Sequence, residues 1–150
     1  MVSLIEQLFP KLSSADYQIT SPNDARYNCI AWAAGDTQRW WWPEQDPENG
    51  YWPEGVPAVV TVDAFVAAFA TLGYEPCDQP DYEPNFERIA LFADEQGTPT
   101  HVARQLPSGR WTSKLGKLED IEHDLNDLVG STYGSVVQVL KRALPAVRGN

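Results

Sequence analysis

Apolar and polar positions change period several times along the chain. Residues 2–8 predict a short helix that must stop before Pro10. Asp16-Tyr17-Gln18-Ile19-Thr20 alternates as a brief strand does, and Ser21-Pro22-Asn23-Asp24 has turn chemistry. Tyr27-Asn28-Cys29-Ile30-Ala31-Trp32-Ala33-Ala34-Gly35 predicts a short apolar helix: Asn28 suits the N-cap, Cys29 falls in the first turn, and Gly35 closes the end. Residues 36–60, rich in Trp, Pro, Asp and Glu, predict an ordered loop. Thr61 then caps a helix that places Phe65, Phe69 and Leu72 on one side and ends at Gly73. A turn-rich stretch over residues 76–84 leads to Arg88-Ile89-Ala90-Leu91-Phe92-Ala93, a buried-strand pattern. Residues 100–106 and 110–115 flank Pro107-Ser108-Gly109 as the arms of a hairpin. Residues 120–128 and 133–144 predict two closing helices, the second with Val136, Val137 and Leu140 on one face. This order predicts an α+β fold in one domain, residues 1–150, with a Cys-bearing helix packed on a small antiparallel sheet and further helices around it.

Composition narrows the function classes. With 43% hydrophobic residues, a packed core is available. A formal charge of −10 repels phosphate backbones and excludes nucleic-acid binding by charge neutralisation. No apolar run reaches the roughly 18 residues that span a bilayer, and the first residues lack the pattern of a secretory signal. Hence the expectation is a cytoplasmic protein, with no membrane partner and with both cysteines reduced. The six Trp residues include Trp40-Trp41-Trp42 in a row. Indoles left in water forfeit burial energy. Trp41, Trp42 and Trp52 therefore either anchor the long loop to the core or wall a cleft for a peptide, sugar or aromatic group.

Two Cys and two His keep the search for chemistry small. A thiol nucleophile needs a lowered pKa, a base and donors for an oxyanion. Cys29, at a helix N-terminus, is the candidate, and its position there predicts a thiol pKa below the free value. As a small buried hydrophobe it would instead be inert core. Cys77 sits between Glu75 and Asp78 and is read as a bystander. His101 opens a strand-like run and is the candidate base. His123 falls on one of the expected helices beside acidic residues. No pair among Cys29, Cys77, His101 and His123 has the close spacing of zinc ligands, so neither a metal nor any other cofactor is expected.

These residues carry two resemblances. Tyr27-Asn28-Cys29-Ile30-Ala31-Trp32-Ala33 resembles the Tyr-Asp-Cys-Ser-Gly-Leu-Val pattern of the NlpC-type cell-wall cysteine peptidases, with Asn28 in place of Asp and Ile30-Ala31 in place of Ser-Gly. That resemblance implies a papain-like or NlpC-like fold. It also implies a Cys29–His101 pair, an oxyanion region beside Tyr27 and Asn28, and a third polar residue on the next strand that orients the imidazole. Tyr27 is alternatively a core tyrosine. The second resemblance is to a family of small uncharacterised bacterial proteins. It rests on that first string together with Trp40-Trp41-Trp42-Pro43, Tyr51-Trp52-Pro53, His101-Val102-Ala103-Arg104-Gln105-Leu106, Trp111-Thr112-Ser113-Lys114-Leu115-Gly116, Asp120-Ile121-Glu122-His123 and Tyr133-Gly134.

The third residue depends on hairpin register. A three-residue turn sets Leu106 opposite Arg110 and puts His101 on a face with Trp111 and Ser113. A two-residue turn puts it with Thr112 and Lys114. Ser113 is the first choice, with Thr112 and His123 as alternatives. Lys114, Arg104, Glu119, Asp120 and Glu122 read as solvated charges. The function expected is a cysteine hydrolase or acyltransferase acting on an amide or thioester of a peptide, protein or other amide substrate. The alternative is a non-catalytic binding or immunity-type module that grips a partner protein with its Trp/Pro-rich loop.

Overall fold

The structure is a computed structural model that describes residues 4–14, 17–21, 27–36, 40–43, 51–115, 119–130 and 132–144. Three short helices occur among these residues: α1 (Leu4–Leu8), α2 (Cys29–Ala34) and α3 (Val62–Ala70). Single 3-10 turns cover Pro10–Ser14 and Leu125–Leu128. The strands are β1 (Gln18–Ser21), β2 (Glu75–Cys77), β3 (Phe86–Ala93), β4 (Pro99–Gln105), β5 (Trp111–Lys114), β6 (Asp120–His123) and β7 (Ser135–Ala143). They form one sheet in the order β1-β6-β5-β4-β3-β7-β2, and every pairing is antiparallel.

This architecture corrects the expected fold class. The molecule is β-rich, a seven-stranded antiparallel sheet with few short helices, and not a papain-like or NlpC-like α+β fold. Both expected closing helices are absent. Residues 120–123 alternate as β6, with Ile121 and His123 turned to one face, before the 3-10 turn begins. Residues 135–143 form β7, which lies between β3 and β2. The spacing of Val136, Val137 and Leu140 fits a helix, but three valines in four positions (Val136, Val137 and Val139) also suit a strand. The decision belongs to β3. Its buried backbone needs a ladder on both edges, and β7 supplies the one β4 leaves open, from Phe86↔Ala143 to Ala93↔Ser135.

The local signals that did specify structure are visible as hydrogen bonds. Asn28 Oδ1 accepts from Ala31 N, and Gly35 and Asp36 return their N–H groups to Trp32 and Ala31, which closes α2. Thr61 Oγ1 accepts from Ala64 N and starts α3. In the hairpin, Leu106 N donates to Arg110 O, with Gln105 opposite Trp111 and Arg104 opposite Thr112, the register of the three-residue turn. The expected turn over residues 22–24 lies outside the described residues, as do 37–39 and 44–50 of the expected loop.

Alternation along β3 separates two cores. Ile89 and Leu91 face α2, α3 and Trp41; Ala90 and Phe92 face Ile5, Phe9, Leu12 and Leu128. The sheet is thus covered on both faces, and the residues of interest are distributed between them. Among the described residues, no helix is long and apolar enough to cross a membrane.

Candidate functional site

Cys29 opens α2, which packs across β4. The backbone N–H groups of Val102, Ile30 and Cys29 itself point at the sulfur and favour the thiolate, as does the Lys114 charge. Burial outweighs them all. With Cys29 only 8% exposed, desolvation pushes its thiol up to about 11. The lowered pKa expected from the helix end is therefore reversed. A six-residue helix has too weak a terminal field to offset the removal of a thiolate from water.

His101 is fully buried in β4, with its ring on the face of the second core, edge-on to Phe92. Its hydrogen-bond network assigns a tautomer. His123 Nδ1 lies 2.7 Å from the carbonyl oxygen of Asp124, which can only accept, so Nδ1 carries the proton. His123 Nε2 is then an acceptor, and Ser113 Oγ donates to it at 2.7 Å. Ser113 Oγ in turn accepts from His101 Nε2 at 2.9 Å. What remains is His101 Nδ1: a lone pair with no hydrogen-bond partner, shielded from water. Burial holds both imidazoles below their ordinary pKa, so the neutral forms required by this chain are the stable ones.

Cys29 and His101 belong to opposite faces of the sheet, and no hydrogen bond joins the sulfur to His101 Nδ1. β4 and β5 separate beyond the Arg104 pair. The ladder between these strands pairs Arg104 with Thr112 and does not extend to His101, and the Val102 N–H beside His101 is one of the donors on the sulfur. Tyr133 packs on His101. Its ring stacks on His101 at 4.1 Å and 7°, and the Cys29 charge, after burial, raises its phenol pKa. Tyr133 is fixed by paired hydrogen bonds between Gly130 and Gly134 and by Thr100 Oγ1, which donates to its carbonyl.

The other sequence candidates have definite partners. Tyr27 OH donates to the Asp120 carboxylate, at 2.9 Å from Oδ2. Asn28 Oδ1 accepts from Trp41 N as well as Ala31 N, and its Nδ2 donates to Trp41 O, so its side chain clamps the loop. Thr112 accepts from Trp32 Nε1 on the α2 face, away from His101. His123 stands on β6 and not on a helix. Trp41 stacks with Phe69, and Trp42 and Trp52 pack on Phe65, so the three indoles are spent against α3.

Sequence reasoning missed Tyr133, Lys114 and Asp120. Lys114 and Asp120 are fully buried, contrary to the solvated charges expected, and sit opposite each other in the β5–β6 ladder. The Lys114 ammonium lies 5.5 Å from the Tyr27 ring centroid. The available signal was the strand alternation of residues 111–115 and 120–123, which places both charges on the α2 face. Among the described residues, no three His, Cys, Asp or Glu side chains converge to hold a metal.

No curated protein and no solved structure matches this chain. The resemblance to NlpC-type peptidases has no support among these comparisons, whereas that to an uncharacterised domain family does. Residues 18–141, from β1 through most of β7, match one such family, and the chain belongs to it: the family described as Domain of unknown function (DUF7689).

Proposed function

We propose that the protein is a thiol-dependent hydrolase or acyltransferase that acts on an amide or thioester through Cys29, with His101 as base. The supporting observation is the unpartnered His101 Nδ1, left bare by the chain through Ser113 and His123 beside the strand N–H that meets the Cys29 sulfur. A buried lone pair without a donor is costly. A thiol proton would satisfy it.

In the resting protein both partners are neutral, so the step is general-base catalysis and not attack by a pre-formed ion pair. As the sulfur bonds to the substrate carbonyl, the thiol proton passes to His101 Nδ1. Ser113 and His123 hold the imidazole in the tautomer that can take it. The backbone N–H groups of Cys29 and Ile30 are the nearest donors for the oxyanion. The proton then leaves with the amine or thiol, and an acyl thioester remains on Cys29. Water or a second nucleophile, deprotonated by His101, releases the acyl group.

The test is intact-mass detection of an acyl adduct after incubation with an activated thioester, with site mapping. Wild type should acylate at Cys29 and Cys29→Ala should not. His101→Asn should slow acylation by about 10²-fold or more, the usual weight of a general base. Labelling of Cys29 by iodoacetamide should be slow near neutral pH and climb towards the thiol pKa of about 11. Acylation that ignores His101→Asn, or that maps elsewhere, rejects the reading.

A further inference from the structure

A cavity of about 210 Å³ lies past the end of the β3–β4 ladder, and neither Cys29 nor His101 lines it. Ile89 opposite Arg104 is the last pair of that ladder. Beyond it, Phe86 and Glu87 on one strand and Gln105 and Leu106 on the other bound the space. Successive residues of β4 turn to opposite faces, yet Arg104 and Gln105 both line the cavity because the strands are no longer joined there. Two deficits meet in this lining. Arg104 is half-buried, with its guanidinium carbon 5.0 Å from the Trp32 ring centroid. Among the described residues that guanidinium has no hydrogen bond and no ion pair. Glu87, the other charged residue of the lining, is already paired with Arg142 at 3.2 Å, so the Arg104 charge stands uncompensated in a chain of formal charge −10. Gln105 is 9% exposed, and its Nε2 donates to the Pro80 carbonyl at 2.9 Å, which can only accept and so fixes the amide orientation. Its Oε1 is then a buried acceptor without a donor. The rest of the lining is apolar and includes Tyr82 and Leu144, two large side chains that remain exposed.

We propose that this cavity binds a small apolar amino acid. The carboxylate pairs with the N–H fork of Arg104, which a cation held over an indole keeps available in its own plane. The ammonium donates to Gln105 Oε1. The apolar side chain covers Tyr82, Phe86 and Leu144 and removes their area from water. Each group of the ligand answers one deficit of the lining. An inorganic anion would satisfy Arg104 alone, and an amine would leave Arg104 without a counter-charge. The volume is below the ~300–1,000 Å³ of cavities that hold drug-sized ligands, which suits a single amino acid and excludes a nucleotide or a peptide.

The experiment titrates the full chain with L-leucine and L-phenylalanine and follows backbone amide chemical shifts. At least one of the two should bind saturably and move the amides of Glu87, Arg104, Gln105 and Leu106. Two truncated forms of leucine divide the contacts: 4-methylpentanoate lacks the ammonium and 3-methylbutylamine lacks the carboxylate. Each should bind about tenfold or more weakly than leucine. Arg104→Met, which keeps a stem over Trp32 and removes the charge, should weaken binding of the amino acid by a similar factor with the fold intact. No saturation by either amino acid up to about 10 mM overturns the proposal without recourse to any variant. So does saturation whose shifts fall away from these amides, or a folded Arg104→Met protein that binds as wild type does. Binding of 4-methylpentanoate as tight as that of leucine overturns it too, because Gln105 Oε1 then receives no donor.

Discussion

At the scale of single residues, burial decides what each chemical group can do. His101 and His123 are identical in sequence terms, yet one carries its proton on Nε2 and the other on Nδ1, because Ser113 stands between them and only the Asp124 carbonyl terminates the chain. The depressed imidazole pKa values have a consequence for stability. The unfolded chain binds a proton at each His near pH 6.5, whereas the folded chain holds them neutral until well below that for His101. More protons on the unfolded state mean that stability rises with pH. It should therefore be lost as pH falls below 6.5, with a slope approaching about 1.4 kcal/mol per pH unit for each histidine that remains neutral. Urea titrations from pH 7.5 down to 5 should show this slope in wild type and a flatter one in His101→Gln. Equal slopes would mean that the buried neutral imidazole is not what the acid limb reports.

At the scale of elements, the loop before α3 is a structural part of the first core. Trp42 N donates to Tyr51 O and Tyr51 N to Trp40 O, so the described parts of this loop meet in a short parallel bridge. Asn28 ties that bridge to the start of α2 by two bonds to the Trp41 backbone. Asn28→Ala removes a helix cap and leaves a buried Trp41 N–H and C=O without partners, a combined loss of about 2–4 kcal/mol. Trp41→Ala empties the space between Phe69 and Tyr51 and should cost roughly 3–5 kcal/mol. The check is the melting temperature, expected to fall by about 2–4 °C per kcal/mol for a protein of this size. The asymmetry to look for is in Trp52, half-buried on Phe65 with its Nε1 on the Pro57 carbonyl, whose alanine variant should lose less than Trp41→Ala.

At the scale of the whole molecule, the sheet brings distant segments to one place. His101, Ser113, His123 and Tyr133 come from β4, β5, β6 and the connection before β7, and only lateral strand order makes them neighbours. Gly134 controls the last of these approaches. Its φ is +81°, and a Cβ there would lie 2.0 Å from the Ala93 carbonyl oxygen. Gly134→Ala should displace β7 from β3 and lift Tyr133 from His101, at a cost of about 3 kcal/mol or more. Thermal melting measures the cost, and the ring-current shifts of the His101 imidazole protons measure the lost stacking. A variant with unchanged melting and unchanged shifts would show that the close approach does not constrain the fold.

What the sequence determined by itself were the features written in adjacent residues. Asn28 and Gly35 bracket α2, Thr61 and the Phe65/Phe69 spacing define α3, and Pro107-Ser108-Gly109 sets a register that puts Ser113 on the His101 face. Each depends on contacts a few residues apart, where capping and turn chemistry act. Tertiary structure decided the rest. Residues 135–143 became a strand because β3 had an open edge, a demand made from some fifty residues away. Lys114 and Asp120 were buried as ladder partners although each alone reads as a solvated charge. The Cys29 thiol moved up because the core closes over it, and burial by distant segments leaves no trace in the local pattern that named the helix N-terminus.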